Sequence, residues 1–349
     1  MNDIERIPVT IITGFLGSGK TTLLNNVIEK YTGKKFAIIE NEFGSVGIDG
    51  ALIVEEGNNI FELNNGCICC SLNDDFYTTI SQLLESELEF NHLLVETTGI
   101  ANPDSVINAF LLSEEIVERF IIDSVICVVD AENMEDMMEI QPEVIKQLAV
   151  ADIVLINKTD CVQPNYVHQL RNIIAGLNFS ASIYSVQQAD ISEIDLLDIF
   201  CFSPESVEMT THKFIRIKPH TAIDAPPSSL LISNIKPQHK HEISSEGFYF
   251  EGSFSFERFS LWIQNFMYLN SETIYRVKGI LSFDGMPEKF TFQAVRTTYL
   301  FDYNEEWKNE MRYIKIVFIG KNINPAILEA SLKDLLVIHQ DNVVENSEI

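Results

Sequence analysis

The 349 residues are 46% hydrophobic and 21% charged, with 16 Gly and 11 Pro, a balance that supplies a core and excludes disordered and collagenous classes. Twenty-four Lys and Arg against 51 Asp and Glu leave a formal charge of −27, which repels nucleic-acid phosphates and anionic lipid headgroups alike. No apolar run approaches the ~18 residues of a membrane span and the first residues lack a secretory-signal pattern, so the expectation is a cytoplasmic protein with neither nucleic acid nor membrane as partner.

In chain order, residues 7–16 (IPVTIITGFL) read as a buried strand ending in glycine, and residues 20–30 (KTTLLNNVIEK) as the helix that follows. Apolar runs recur at 35–39, 92–95, 124–129, 153–156 and 183–186, separated by helical stretches such as 76–88 and 143–150. This alternation predicts a doubly wound α/β domain over 1–203, with a mostly parallel sheet and helices on both faces. Near 203–211 the composition turns polar. Strands then read at 213–218, 230–235, 247–255, 275–283, 290–299 and 313–319, with helices at 256–267 and 325–336. They predict a smaller α+β domain over 212–340, one antiparallel sheet with helices on a face.

Between the first strand and helix lies Gly14-Phe15-Leu16-Gly17-Ser18-Gly19-Lys20-Thr21, a complete G-x-x-x-x-G-K-T phosphate loop in its required context. Backbone N–H groups freed by the glycines converge on phosphate, and the helix N-terminus adds its positive end. Lys20 would reach the β/γ oxygens and the Thr21 hydroxyl would take a place on Mg²⁺; Gly14, Gly17, Ser18, Gly19, Lys20, Thr21 and Thr22 form the candidate nucleotide-binding set. A second strand, 93–95, delivers Glu96 and then Gly99 to the same sheet end. Glu96 would hold Mg²⁺ directly or through water, making Lys20, Thr21 and Glu96 the candidate catalytic set, while the Gly99 N–H would sense the γ-phosphate.

Asn157-Lys158-Thr159-Asp160 follows a further strand. A carboxylate there accepts from both guanine N1–H and the exocyclic amine, a donor pair adenine lacks, so Asp160 selects GTP. Asn157 would buttress the loops and the Lys158 stem would lie along the base.

Three of the six cysteines crowd into Gly66-Cys67-Ile68-Cys69-Cys70, ahead of a predicted helix start. The helix dipole favours the thiolate form, and thiolates select Zn²⁺ or Cu⁺ over Mg²⁺, with Co²⁺ also possible. Three protein ligands leave a fourth position open, which suits metal transfer; a closed structural zinc and a redox dithiol are the alternatives. Cys127, Cys161 and Cys201 read as small buried hydrophobes.

Together the GFLGSGKTT loop, Ile39-Glu40-Asn41-Glu42-Phe43-Gly44, the GCICC cluster, Glu96-Thr97-Thr98-Gly99 and Asn157-Lys158-Thr159-Asp160 resemble the CobW/YjiA family of P-loop GTPases, in order and spacing. Residues 275–280, 284–287 and 317–320 look like that family's C-terminal domain. The resemblance implies a GTP-hydrolysing metallochaperone that binds Zn²⁺ or Co²⁺ at Cys67, Cys69 and Cys70, with Glu40 a contributor, and passes it to a client metalloprotein. It equally covers maturation GTPases of the cobalamin or nitrile hydratase kind. Ser45 stands where family members commonly carry an acid, and the long histidine-rich insert is reduced to His239-Lys240-His241. Bound GTP·Mg²⁺ is expected to organise 40–49 and the cysteine loop, and hydrolysis to release the metal. No arginine finger is named by the sequence, so slow intrinsic hydrolysis is expected. The rivals are a P-loop kinase, for which few lid arginines are present, and a GTP-regulated scaffold with a structural zinc.

Overall fold

A computed structural model of the chain describes residues 6–40, 52–55, 60–64, 74–86, 88–99, 103–202 and 243–337. Strand β1 (Ile7–Thr13) is buried from Val9 to its end, and its residues alternate between two apolar clusters. Val9 and Ile11 face one layer and Ile12 the other, as the period-two geometry of a strand requires. Helices on both faces are why the sequence here reads as a continuous apolar run.

Around β1 lie β2 (Phe36–Glu40), β3 (Leu52–Glu55), β4 (Ile60–Asn64), β5 (His92–Glu96), β6 (Phe120–Asp130), β7 (Ile153–Asn157) and β8 (Ser182–Ser185). The sheet order is β3-β4-β2-β5-β1-β6-β7-β8, parallel throughout except for β3, which runs antiparallel to β4 at the edge. The helices are α1 (Lys20–Lys30), α2 (Asp74–Glu85), α3 (Pro103–Leu112), α4 (Glu114–Arg119), α5 (Met134–Ile140), α6 (Pro142–Val150) and α7 (Pro164–Leu177). Leu23, Leu24 and Val27 of α1 cover one face together with Ile191, Leu196 and Leu197, while α2, α3 and α5 to α7 cover the other. The predicted doubly wound sheet is therefore present, with α1 at its predicted bounds.

A second sheet contains β9 (Ile243–Glu251), β10 (Ile274–Leu281), β11 (Glu288–Val295), β12 (Thr298–Glu306) and β13 (Tyr313–Lys321), all antiparallel in the order β12-β11-β10-β13-β9. One face is sealed by α8 (Phe256–Leu269) and α9 (Pro325–Lys333) through Phe259, Ile263, Leu328 and Leu332 against Phe292 and Phe318. The other face meets the first sheet's helical layer: Tyr275, Val295 and Ile319 belong to the same cluster as Val9, Phe110 and Phe120.

Some expectations change. The single strand expected at 290–299 is a hairpin, β11 and β12, turning at Arg296 with φ 54. No glycine or asparagine marks this turn; tertiary bonds hold the left-handed arginine instead, its Nε donating to Asp104 at 2.6 Å and its Nη1 to the Ser271 carbonyl. The helix expected to reach 336 ends at Lys333. Strands expected at 213–218 and 230–235 lie outside the described residues. Among the described residues no helix is long and apolar enough to cross a membrane.

Candidate functional site

The carboxyl ends of β1, β5 and β7 converge at one edge of the parallel sheet, the place where open α/β sheets bind ligands. Gly14 and Gly17 carry left-handed φ of 138° and 78° in the loop leaving β1. Gly19 caps α1 at φ 107°, and a Cβ there would meet Asn157 Nδ2 at 2.4 Å, so both backbone and space demand glycine. Ser18 is fully buried, and its hydroxyl has no hydrogen-bond partner among the described residues. The helix opens with no side-chain cap and no acid in its first turn, which leaves its first N–H groups to an anion.

Lys20 is only 7% exposed and donates to the Phe15 carbonyl at 3.3 Å. Burial pulls its ammonium below the ordinary lysine value, against the opposing charge of Glu96. An incoming anion would offset that penalty by charge attraction. Thr21 Oγ1 donates to Glu96 Oε1 at 3.2 Å, so the two oxygens proposed for Mg²⁺ already stand together. Hard oxygen donors at this spacing suit Mg²⁺. Thr22 is exposed on the first turn of α1. Behind Glu96, the Thr97 N–H donates to the Ile12 carbonyl at 2.9 Å and its hydroxyl to Thr13 at 3.0 Å, tying this segment to β1. Gly99 lies so close to the phosphate loop that a Cβ would sit 2.4 Å from the Leu16 nitrogen.

Asn157 joins two loops. Its Nδ2 donates to the Ser18 carbonyl at 2.8 Å, and its Oδ1 accepts from the Ala189 N–H at 2.8 Å. Asn26 of α1 holds the same segment by donating to the Gln188 and Ala189 carbonyls, and both those residues have positive φ. The segment 186–189 is thus tied to the candidate site, and paired Gln187 and Gln188 after an apolar strand carry no turn signal in the sequence. Lys158 adopts φ 59° and its ammonium donates to Asp130 at 2.7 Å, while Asp160 is exposed in the following turn.

Cys67, Cys69 and Cys70 lie outside the described residues, as do Ser45, His239 and His241, and the Glu40 side chain. The backbone of Glu40 is placed: it pairs in register with Glu96 on one side and Asn64 on the other. Asn64 closes β4 only three residues before Cys67, a span of at most about 11 Å. Among the described residues no group of three His, Cys, Asp or Glu is arranged to hold a metal. Cys127 and Cys201 are buried, and burial raises both thiols; Cys161, expected to be buried, is exposed because it follows Asp160 in the open turn after β7.

Residues 8–185 match the family model described as CobW/HypB/UreG, nucleotide-binding domain, and residues 243–336 that of the cobalamin synthesis protein cobW C-terminal domain. Over 333 residues the chain is 31% identical to the zinc chaperone YjiA of Escherichia coli, covering 94% of this chain and 98% of that one. It is 27% identical to the zinc-regulated GTPase metalloprotein activator 1 of Schizosaccharomyces pombe, covering 92% and 84% respectively. The crystal structure of Zn(II)-bound YjiA GTPase from E. coli superposes with a TM-score of 0.68 at 25% identity, over 96% of this chain and all of that one.

Proposed function

This chain belongs to the CobW/HypB/UreG family and is a GTPase, and from that premise we propose that it is a metallochaperone that couples GTP turnover to capture and release of a transition metal. In this reading the phosphate loop of Gly14, Gly17, Ser18, Gly19, Lys20, Thr21 and Thr22 holds the triphosphate, with the Lys20 ammonium on its β/γ oxygens. Thr21 and Glu96 would hold Mg²⁺, which supplies neutralisation of charge across the β/γ oxygens. Gly99 answers the γ-phosphate, Asp160 pairs with the guanine edge, and Asn157 keeps the two loops at a fixed separation. The units for this work are 1–203 for nucleotide and metal and 212–340 for the C-terminal part, in a cytoplasmic protein.

The cargo is Zn²⁺, or Co²⁺, on Cys67, Cys69 and Cys70, assisted by Glu40. Zinc stands first because relatives over nearly the whole length carry zinc in their names and because the divalent affinity order favours it over Co²⁺. The observation that carries the coupling is the backbone row of Asn64, Glu40 and Glu96 across β4, β2 and β5. The Glu96 carboxylate touches Thr21, and Cys67 comes three residues after Asn64. A change at the γ-phosphate thus has three adjacent strand ends through which to reach the sulfur ligands, and a client metalloprotein would receive the ion when hydrolysis loosens them.

The test is a zinc competition titration with a chromophoric chelator, with GDP and with a non-hydrolysable GTP analogue. The analogue state is expected to bind zinc up to a thousandfold tighter, about 4 kcal/mol of coupling. Equal affinities in the two states overturn the coupling, and zinc affinity unchanged by Cys69→Ser overturns the sulfur site.

A further inference from the structure

We propose that Asp130 is a positioning residue for nucleotide recognition: it pins the Lys158 ammonium so that the lysine stem forms a fixed wall of the base pocket, and it thereby sets the affinity for guanine nucleotides. This deepens the guanine-site reading and rests on it.

Asp130 is the last residue of β6 and pairs in register with Asn157, the last of β7. The Ala131 N–H donates to the Asn157 carbonyl at 3.0 Å, so the two strand ends are stitched just where the chains diverge. Lys158 then turns away in a left-handed conformation, and its side chain returns across the strand ends to place Nζ 2.7 Å from Asp130 Oδ2. The side chains are 36% and 12% exposed respectively, so the acid is the anchored partner and the lysine the one it restrains.

The anchoring does not depend on the lysine. Asp130 Oδ1 accepts from the Glu132 N–H at 2.9 Å, and Oδ2 accepts from Asn133 Nδ2 at 3.0 Å. These bonds form within the turn that follows β6 and fix the carboxylate beforehand. Lysine has four rotatable stem bonds, and a base that packs on the stem must halt them all. A carboxylate that has already stretched the stem between its own backbone and a fixed oxygen removes most of that entropy cost before nucleotide arrives. In the chain Lys158 stands between Asn157, which binds the phosphate-loop carbonyl, and Asp160, the residue assigned to the guanine edge, so restraining its stem bears on the same candidate pocket.

The experiment uses the full chain and measures dissociation constants for GDP and a non-hydrolysable GTP analogue, KM and kcat for GTP, and Tm without nucleotide. Asp130→Asn keeps the size of the side chain and removes its charge. It is expected to weaken both nucleotides about tenfold and raise KM alike, with kcat within about twofold and the nucleotide-free Tm within a few degrees. Lys158→Met, which keeps the stem and removes its anchor, is expected to reproduce the loss, and Asp130→Asn added to it to cost nothing more. Wild-type affinity in either single variant overturns the proposal. So does a full further loss in the double variant, which would mean that Asp130 acts through its own turn. Asp160→Asn serves the underlying reading separately: an amide donates where the carboxylate accepts, so preference is expected to move from guanosine toward xanthosine nucleotides. If it does not move, the guanine-site reading falls whatever Asp130→Asn does.

Discussion

The Asp152 carboxylate, at the foot of the strand that ends in Asn157, lies 2.6 Å from the Arg276 guanidinium of the second sheet. Lys278 reaches the same oxygen at 3.1 Å, the Val125 N–H donates to the other at 3.0 Å, and Arg276 also donates to the Val150 carbonyl. All three side chains are buried. Burial alone would raise the Asp152 carboxyl, but the two cations outweigh it and hold the group below the ordinary carboxylate range. Two positive charges thus depend on one negative charge between the sheets.

Removing that charge is expected to cost more than removing either cation. Asp152→Asn should lower stability by about 3–5 kcal/mol, because it leaves Arg276 and Lys278 buried without an anion. Arg276→Ala, which leaves Lys278 to answer the carboxylate, should cost about 2 kcal/mol. Urea midpoints measure both, and the reverse order would contradict the two-to-one arrangement.

At the β11–β12 turn, Arg296 serves through its side chain and strains its backbone at φ 54°. Arg296→Ala loses the bond to Asp104 and keeps the strain; Arg296→Gly loses the same bond and relieves it. Glycine should therefore be the better tolerated by about 1 kcal/mol, read as a difference in denaturation midpoint. Equal losses would mean that the turn relaxes once the guanidinium is gone.

Acid should expose His92. Burial foremost, and the nearby Lys34 charge, push its pKa down to about 3 against the opposing Asp198. Its Nε2 lies 2.9 Å from Thr10 Oγ1, which in turn donates to Asp123. An unfolded chain protonates histidine near pH 6.5 whereas the folded one resists, so stability is complete above about 6.5 and falls with decreasing pH by up to about 1.4 kcal/mol per unit. His92→Gln should flatten this slope between pH 6.5 and 5. Asp123, whose carboxyl burial raises, contributes with the opposite sign, lost as pH rises through its folded value. Parallel slopes in wild type and variant would rule out His92 as their source.

Glu96→Gln keeps a hydrogen-bond partner for Thr21 and removes the charge proposed for Mg²⁺. Single-turnover phosphate release should slow by about 10²–10³-fold, with GDP affinity changed only a few-fold. Gly99→Ala forces a methyl to within 2.4 Å of the Leu16 nitrogen, so it should impair GTP binding and turnover together. Loss of GDP binding in Glu96→Gln, or full activity in Gly99→Ala, would contradict these roles.

Much of the framework of the candidate nucleotide site is legible because its signals are local. The phosphate loop and α1 stand where glycine spacing and apolar rhythm put them, and Asn157 to Asp160 follow a strand as expected. What escaped was nonlocal. The Arg296 turn lacks turn residues because distant Asp104 and Ser271 hold it, so the sequence read through it as one strand. Ala189 takes part through its backbone, which no residue type announces. Arg276 and Lys278 sit two apart in a strand that is buried along its whole length, a pattern visible in the sequence as Y-R-V-K but meaningless until Asp152 is beside them.

The apolar cluster that unites Tyr275, Val295 and Ile319 with Phe110, Ile116 and Phe120 has a practical corollary for handling the protein. Severing the chain anywhere in 203–242 would bare a greasy face on each half and strand Arg276 and Lys278 in it. Fragments made that way should precipitate unless produced together, and because one apolar cluster spans both units a melting curve of the intact chain should show one transition, not two.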